Sequence, residues 1–417
     1  MAKQTIQLSD HFNYSRLLRF VLPCIGTMLF TSIYGIVDGL CVSNFVGKTA
    51  FAAVNLIMPL PMLIGTVGFM LGTGGSAIVG ITLGEGDEDK ANRYFSLFVL
   101  AAFLAGVALS VLGLFILRPV AILMGAKGEM LDFAVRYGRV LMVSVPTFIL
   151  QNMFQSFFVT AEKPTLGFWF TVGAGCTNMV LDVVLVGWLR WGVEGAAIAT
   201  FLSQIVGGVL PVFYFLDHKT TSRLHLGKTE FHGSVLKAAC INGSSELMSN
   251  ISSSIVSILY NLQLMRLIGE AGVAAYSVMM YVDFVFIAAF LGFSVGSAPI
   301  VSFHYGADNR DELKSVFKKS AVIIGVTAVV MVTASELLSH PLSAAFVGYD
   351  QELLPWLETY TFPVEARYGD ADFAEGAWKR FLNRMWANGT LRFSAFATIH
   401  KEAAWRLMEL TERAGLS

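Results

Sequence analysis

The sequence predicts an all-α membrane protein, a bundle of long apolar helices. Of its 417 residues, 55% are hydrophobic and only 14% are charged, whereas soluble domains carry about 25% charged residues. The apolar residues gather in stretches of about 20 residues or more, enough to cross a hydrocarbon core of about 30 Å. Because these stretches lack the alternation of a membrane β-barrel, a helical bundle is expected.

Nine stretches are long enough to span a bilayer. Lys and Arg concentrate in the N-terminal segment and in the connections after the sixth and eighth stretches. These three regions fall on one side if every stretch crosses, and that side is then the cytoplasm. The chain from residue 340 onward is expected outside. The predicted spans are 20–43, 51–83, 94–117, 131–160, 164–188, 193–216, 234–268, 271–304 and 316–338.

An internal repeat organises these spans. Residues 71–95 recur as residues 291–317, at an offset of 220 to 222 that pairs Gly84 with Gly306 and Phe95 with Phe317. An even number of spans separates the copies, so the halves share one orientation, as in several secondary transporters. The predicted divisions are an N-lobe of six helices (1–230), a partial C-lobe of three helices (231–352) and a soluble tail (353–417).

The second repeat contains only three predicted spans. One complete unit of six implies a twelve-helix plan, so we expect a second repeat truncated after three helices. Residues 355–417 carry 16 charged side chains and four of the seven Trp residues. The composition therefore changes where the tenth helix would begin.

Polar side chains inside the first half suggest a coupling site. Asp38 lies well within the first span, and Asn178 precedes Asp182 by one helical turn in the fifth. Ionisable residues in spans usually face the bundle interior or a water-filled cavity. The Asn–Asp pair could bind a small hard cation or carry a proton on a carboxylate of raised pKa. The alternative is a helix–helix hydrogen bond of structural value only.

The second half offers two further carboxylates. Glu246 could contact a cationic substrate, or it could be a solvated residue at the start of the seventh helix. Asp283 could also contact substrate, although a structural role is favoured. The repeat equivalent of Asp38 is Tyr260, beside Asn261, so the halves are chemically unequal.

Other functional classes find little support. No phosphate-binding loop with a Lys is present, and a net charge of -1 gives no reason to expect nucleic acid. The Gly-rich residues 72–77 lie inside a span and are expected to allow close helix packing. The four cysteines lie singly in apolar segments and are expected to be small core residues.

Residues 1 to about 350 resemble the multidrug and toxic compound extrusion (MATE) family of cation-coupled transporters. The segments that carry the resemblance are VDGLCVSNFVG, the repeated GSA…YGADN-type segments, TNMVLDVVLV, GVEGAAIAT and NGSSELMSNISSS. The resemblance implies two helical lobes around a central cavity and export of bulky, often cationic, amphipathic compounds by alternating access. It also implies a Na⁺ or H⁺ site at Asp38, Asn178, Asp182, Thr200 and Tyr137.

The tail from about Leu353 resembles an internal piece of guanine deaminase, a metal-dependent amidohydrolase. The H-x-H metal motif, the later His ligands and the catalytic Asp of that family have no counterparts here, and His400 is the only His in the tail. A zinc site needs three or more protein ligands, and one or two βα units cannot close a barrel. We therefore expect no enzyme activity and a junction between unrelated sequences near residues 351–354.

The expected function is cation-coupled (Na⁺ or H⁺) export of amphipathic or cationic drugs, impaired by the truncation. The alternatives are a membrane-tethered guanine deaminase and a non-functional chimera. We expect a monomer in the cell membrane, with a cytoplasmic N-terminus and no cofactor besides the coupling ion. The tail is expected to be a short α/β fragment, with a helix at 371–387, a strand at 391–399 and an amphipathic helix at 400–415.

Overall fold

The computed structural model describes residues 6–45, 48–267, 270–347, 366–387 and 401–413. Within these ranges the fold is built of helices joined by short connections, and no strand occurs. In chain order the helices are α1 (Tyr14–Phe45), α2 (Lys48–Ile57), α3 (Pro59–Gly84), α4 (Glu88–Leu123), α5 (Glu129–Thr160), α6 (Pro164–Leu181), a π-helical segment (Asp182–Trp188), α7 (Gly192–Gly208), α8 (Leu210–Leu216), α9 (Gly233–Leu267), α10 (Glu270–Gly306), α11 (Arg310–Val347), α12 (Ala371–Ala387) and α13 (Lys401–Arg413).

The helices occupy all nine predicted apolar stretches. Among the described residues, seven helical stretches are long and apolar enough to cross a membrane. The nearly all-helical bundle predicted from composition is therefore confirmed. In the tail, α12 and α13 confirm the two predicted helices. The strand predicted at 391–399 lies outside the described residues.

Two predicted spans are interrupted where proline removes a backbone donor. The stretch 51–83 divides at Met58 into α2 and α3, because Pro59 and Pro61 have no N–H to continue the helical ladder. The stretch 193–216 divides at Val209, two residues before Pro211. Each of these predicted spans therefore contains a break, although Gly192–Leu216 as a whole is long and apolar enough to cross a membrane.

Six phenylalanines form the centre of the first half, where α4, α5 and α8 meet. The ring centroids of Phe95 and Phe215 are 5.0 Å apart in an edge-to-face arrangement, and Phe154 stacks on Phe215 at 5.7 Å. Such aromatic pairs contribute about 0.5–1.5 kcal/mol beyond the area that they bury. The cluster consists of Phe95, Phe98, Phe154, Phe157, Phe158 and Phe215, and it fixes the end of α5 against α8.

Glycine lets helices of the two predicted halves touch backbone to backbone. A Cβ atom on Gly84, the last residue of α3, would collide with the carbonyl oxygen of Phe303 in α10. A Cβ atom on Gly306, the last residue of α10, would collide with the carbonyl oxygen of Ile81 in α3. The backbones of α3 and α10 are therefore in direct contact at the ends of these two helices.

The Gly-rich segment 72–77 has the same role along α3. A Cβ atom on Gly74 would collide with the carbonyl oxygen of Ala239 in α9, and one on Gly72 would lie 3.0 Å from the Cα atom of Met153 in α5. The expectation that this segment allows close packing is confirmed.

The chain divides into two compact units, Met1–Val329 and Val330–Ser417. In the second unit α12 packs against α13. The indole Nε1 of Trp378 donates a hydrogen bond of 2.9 Å to the carbonyl oxygen of Ala403, and an Arg406 guanidinium nitrogen lies 2.8 Å from a Glu375 carboxylate oxygen. The sequence-based division at 230 and 352 stays a prediction.

Candidate cation site

The junction of α6 and the π-helical segment carries the two polar residues that the sequence placed one turn apart. The backbone N–H of Asp182 donates to the carbonyl of Asn178, so the two side chains follow one another on one helical face. Asn178 is 2% exposed and Asp182 is fully buried. A buried carboxylate is costly and indicates a polar interior. The predicted pair is thus inside the bundle, not on its lipid-facing surface.

The helix changes its winding at Asp182. Seven residues, Asp182–Trp188, form a π-helix, and the N–H of Leu189 then bonds to the carbonyl of Val184, five residues before it. Short π-helical turns within α-helices occur frequently at functional sites. The predicted span 164–188 is long and apolar enough to cross a membrane, and the sequence analysis did not predict the π turn within it.

Helix α7 brings Thr200 to the depth of Asp182. The two helices are antiparallel, and a Cβ atom on Gly195 would lie 3.2 Å from the carbonyl oxygen of Leu185. Thr200 lies five residues beyond Gly195, and Asp182 lies three residues before Leu185. At a rise of about 1.5 Å per residue, their depths differ by only about 3 Å. Thr200 is half-buried, and its hydroxyl donates to the carbonyl of Ala196 at 3.0 Å, which leaves its oxygen able to accept.

Tyr137 on α5 lies at a similar depth. Helices α5 and α7 run in the same direction, and Gly208 packs against the backbone of Thr147. Thr200 precedes Gly208 by eight residues and Tyr137 precedes Thr147 by ten, so the two differ in depth by about 3 Å. Tyr137 is fully buried. Three helices therefore carry the predicted residues at one level of the bundle.

The backbone of Asp38 reaches the same level from α1. This helix packs against α6 and the π-helical segment, and a Cβ atom on Gly26 would lie 3.1 Å from the ring of Phe168. Asp38 follows Gly26 by twelve residues and Asp182 follows Phe168 by fourteen, which again gives a difference of about 3 Å. The side chain of Asp38 lies outside the described part of the structure.

The two carboxylates predicted for the second half lie on other helices. Glu246 is half-buried on α9, and the amide of Asn250 donates to its carboxylate at 3.4 Å. Because α9 begins at Gly233, Glu246 lies more than three turns inside the helix. Asp283 belongs to α10, and its side chain lies outside the described residues.

Two buried glutamines escaped the sequence analysis. Gln151 on α5 and Gln204 on α7 are each 8% exposed, and the carboxamide oxygen of each has no hydrogen-bond partner among the described residues. Uncharged Gln within an apolar run is a weak signal, since a neutral amide costs less to bury than a carboxylate and is often satisfied by a helix–helix hydrogen bond. Only the packing of α5 on α7, with Gly207 against the Gln151 side chain, reveals the pair as interior.

Curated proteins of similar sequence are named as multidrug export proteins. The chain is 23% identical over 340 residues to the multidrug export protein MepA of Staphylococcus saprophyticus, covering 80% of this chain and 75% of the relative. It is 22% identical over 345 residues to MepA of Staphylococcus aureus, covering 82% and 75%.

Solved structures share the fold. A MOP superfamily transporter from Pyrococcus furiosus superposes with a TM-score of 0.76 at 24% identity, covering 84% of this chain and 78% of that one. A MATE in complex with MaL6 superposes with a TM-score of 0.78 at 21% identity, covering 98% and 87%.

The sequence profile of the MatE family matches residues 23–184 and 247–362, which is more than half of the chain. Together with the apolar helices and the relatives named above, this match shows that the chain belongs to the MatE family of multi-pass membrane transporters.

Proposed function

We propose that the protein exports amphipathic or cationic drugs from the cell by alternating access, driven by entry of Na⁺ or H⁺. The observation that carries the proposal is Asp182, fully buried inside a transporter bundle with Asn178 one turn away. Two relatives named as multidrug export proteins support the substrate class. Transporter relatives also favour a non-enzyme.

The coupling ion is proposed to bind among Asp38, Asn178, Asp182, Thr200 and Tyr137. Carboxylate, amide and hydroxyl oxygens suit a small hard cation. The depths of Asp38, Asp182, Thr200 and Tyr137, which agree to within about 3 Å between helices, support this grouping, and Asn178 lies one helical turn from Asp182. Asp182 would supply the negative charge, Asn178 and Thr200 neutral oxygens, and Tyr137 a phenol at the edge. If the ion is H⁺, a carboxylate takes it up instead.

Substrate contact is proposed for the opposite half, through Glu246 and Asp283. The half-buried carboxylate of Glu246, which among the described residues accepts one long hydrogen bond from Asn250, would attract a cationic drug. Separate sites for ion and drug would let each bind in turn as the protein alternates.

We also propose that the two halves are related by a two-fold axis along the membrane normal. Reciprocal packing supports this: Gly84 meets Phe303 and Gly306 meets Ile81, with both pairs related by an offset of 222 residues. A second reciprocal set joins α3 to α9 and α10 to α1, where Gly74 meets Gly243 and Gly296 meets Val21, again at an offset of 222 residues. Transporters with parallel repeats rock their halves about such an axis.

The N-terminus is proposed to be cytoplasmic, from the Lys and Arg bias of the connections at that end. The truncation after three helices of the second repeat and the impaired transport that would follow stay predictions, as do the monomeric state and the guanine deaminase resemblance of the tail.

Efflux of a fluorescent cationic dye such as ethidium from cells tests the site. Asp182→Asn and Asp38→Asn remove one charge each at nearly constant volume and should abolish efflux while expression is retained. The matched control is Asp132→Asn on the exposed first turn of α5. Unchanged efflux in both site variants would overturn the assignment.

The ion is identified in vesicles containing the purified protein. An imposed Na⁺ gradient at constant pH and an imposed pH gradient without Na⁺ are compared as drivers of dye movement. The gradient that drives transport in the unmodified protein, and fails to do so in Asp182→Asn, identifies the coupling ion.

A further inference from the structure

The N-terminal segment forms a short strap, residues 6–13, over the end of the bundle where α3 and α10 meet. Leu8 and Phe12 are fully buried although they precede the first helix. The Phe12 ring lies edge-on to His304, with centroids 6.4 Å apart, and to Phe20 at 5.9 Å. The strap is therefore anchored in the protein interior.

One end of the strap is attached to the first half. The N–H of Leu8 donates to a carboxylate oxygen of Glu162, directly beyond α5, at 2.8 Å. The same oxygen accepts from the guanidinium of Arg223 at 3.1 Å, and Arg223 also pairs with Glu88 at the start of α4 at 2.9 Å. Glu162 thus has a second partner besides the strap.

The other end is attached to the second half. Glu312, in the first turn of α11, accepts from the N–H of Phe12 at 2.8 Å and from Nδ1 of His11 at 2.6 Å. Its side chain is 8% exposed. The ammonium group of Lys319, two turns further along α11, donates to the carbonyl of Phe12. Three contacts hold the strap here, against one at Glu162.

We infer that Glu162 and Glu312 are gate residues, which hold the strap across both halves and keep this end of the transporter closed. The inference rests on the proposed transport function, since alternating access requires the ends of α5 and α11 to separate. Only four residues lead from Leu8 to Phe12, and they extend to at most about 14 Å. The two carboxylates therefore cannot move further apart than the strap allows until one of them releases it.

Release occurs at Glu162. When the N–H of Leu8 leaves, Glu162 keeps the guanidinium of Arg223, so no charge is left without a partner. Release at Glu312 would strip a buried carboxylate of two donors, which costs more than losing one shared hydrogen bond. The strap accordingly travels with α11 as the end opens.

A reversible cross-link tests this step. Gln7→Cys and Lys163→Cys, each next to a residue of the Leu8–Glu162 contact, are combined in a chain whose native Cys24, Cys41, Cys176 and Cys240 are replaced. A short bis-methanethiosulfonate then joins the strap to the connection between α5 and α6 and leaves both gate carboxylates intact. Dye efflux should be lost on cross-linking and return with reductant, while each single variant stays active. Full efflux in the cross-linked protein would overturn the inference.

The matched control joins the strap to α11. Asn13→Cys with Asp311→Cys, each next to a residue of the Phe12–Glu312 contact, places the same reagent beside Glu312 and keeps His11, on the side where no release is expected. Efflux should survive this cross-link. If this cross-link abolished efflux and the cross-link beside Glu162 did not, the strap would release at Glu312, and the assignment of release to Glu162 would be overturned.

A second measurement separates the gate from transport itself. Ser302 is 8% exposed and faces Gly80 between α10 and α3, so alkylation of Ser302→Cys by a permeant maleimide reports opening. Cross-linking at Gln7→Cys and Lys163→Cys should slow this alkylation. Glu162→Ala should speed it by about two- to tenfold, the effect of one hydrogen bond, whereas Asp311→Ala should not.

The two proposals fail in different ways. Slower alkylation in a protein that shows no efflux even before cross-linking would reject the proposed function and retain the gate. Unchanged alkylation in a transporting protein would reject the gate alone.

Discussion

Gly84 and Gly306 stand in reciprocal positions: each ends its helix, and each presses its Cα atom against the backbone of the other helix one turn before the other glycine. No side chain larger than hydrogen fits at either place. This contact holds α3 and α10 together at the end of the bundle that the strap covers.

Gly84→Ala and Gly306→Ala should each destabilise the protein. A methyl group there collides with a backbone carbonyl, which cannot rotate away as a side chain could, so the helices must separate. Overpacking of this kind costs about 1–3 kcal/mol. Thermal unfolding of the detergent-solubilised protein should show a lower midpoint for each variant.

Gly325→Ala on α11 is the control, because a Cβ atom there meets nothing within 4 Å. It should be neutral or stabilising by up to about 1 kcal/mol. An equal loss of stability in all three variants would contradict the close-packing explanation.

Asn178→Leu should reduce efflux without reducing stability. The amide nitrogen of Asn178 is buried and has no partner among the described residues, so removing it relieves a desolvation cost. We expect the free energy of unfolding to be unchanged or raised by up to about 1 kcal/mol, which thermal unfolding would show as an unchanged or higher midpoint. Efflux should fall, because the neutral oxygen proposed for the coupling ion is gone.

Asn92→Leu provides the comparison. The side-chain oxygen of Asn92 accepts from the N–H of His225 at 2.8 Å, so its loss should lower stability. If Asn178→Leu behaved like Asn92→Leu and left efflux intact, Asn178 would be a structural residue only.

The contact between α12 and α13 should weaken in acid. Hydrogen bonds from Lys379 and Arg406 lower the pKa of Glu375 from 4.5 to about 2. A carboxylate with a lowered folded pKa stabilises the fold above its unfolded pKa and loses that contribution as the pH falls. Hydrogen exchange of peptides from α12 and α13, corrected for intrinsic rates, should therefore show protection decreasing between pH 4.5 and pH 2.

Glu375→Gln should already have lower protection at pH 5 and a smaller change with pH. Glu412→Gln, an exposed position on α13, should behave like the unmodified chain. Identical pH profiles for all three proteins would show that the ion pairs do not hold the two helices together.

Guanine-to-xanthine conversion should be undetectable with added zinc. His400 is the only His from residue 353 to the end of the chain, and zinc enzymes of this type need several. The assay uses the purified full chain with and without a chelator. Any zinc-dependent turnover would restore the deaminase alternative.

Prediction from the sequence was most accurate for features that depend on local composition and spacing. The apolar runs predicted the helices, and the Asn178–Asp182 spacing placed two polar groups on one face, because helical periodicity is a local property. It did not reveal the π turn at Asp182–Trp188. It also missed Gln151 and Gln204, because their burial depends on a neighbouring helix.

The sequence by itself determined that the chain is a bundle of long apolar helices and where those helices lie, since both depend on local composition and spacing. Tertiary structure alone decided the common depth of these residues, the reciprocal packing of Gly84 and Gly306, and the attachment of the strap to Glu162 and Glu312. Those contacts join residues up to 301 positions apart, and only the packing of whole helices determines which distant residues meet.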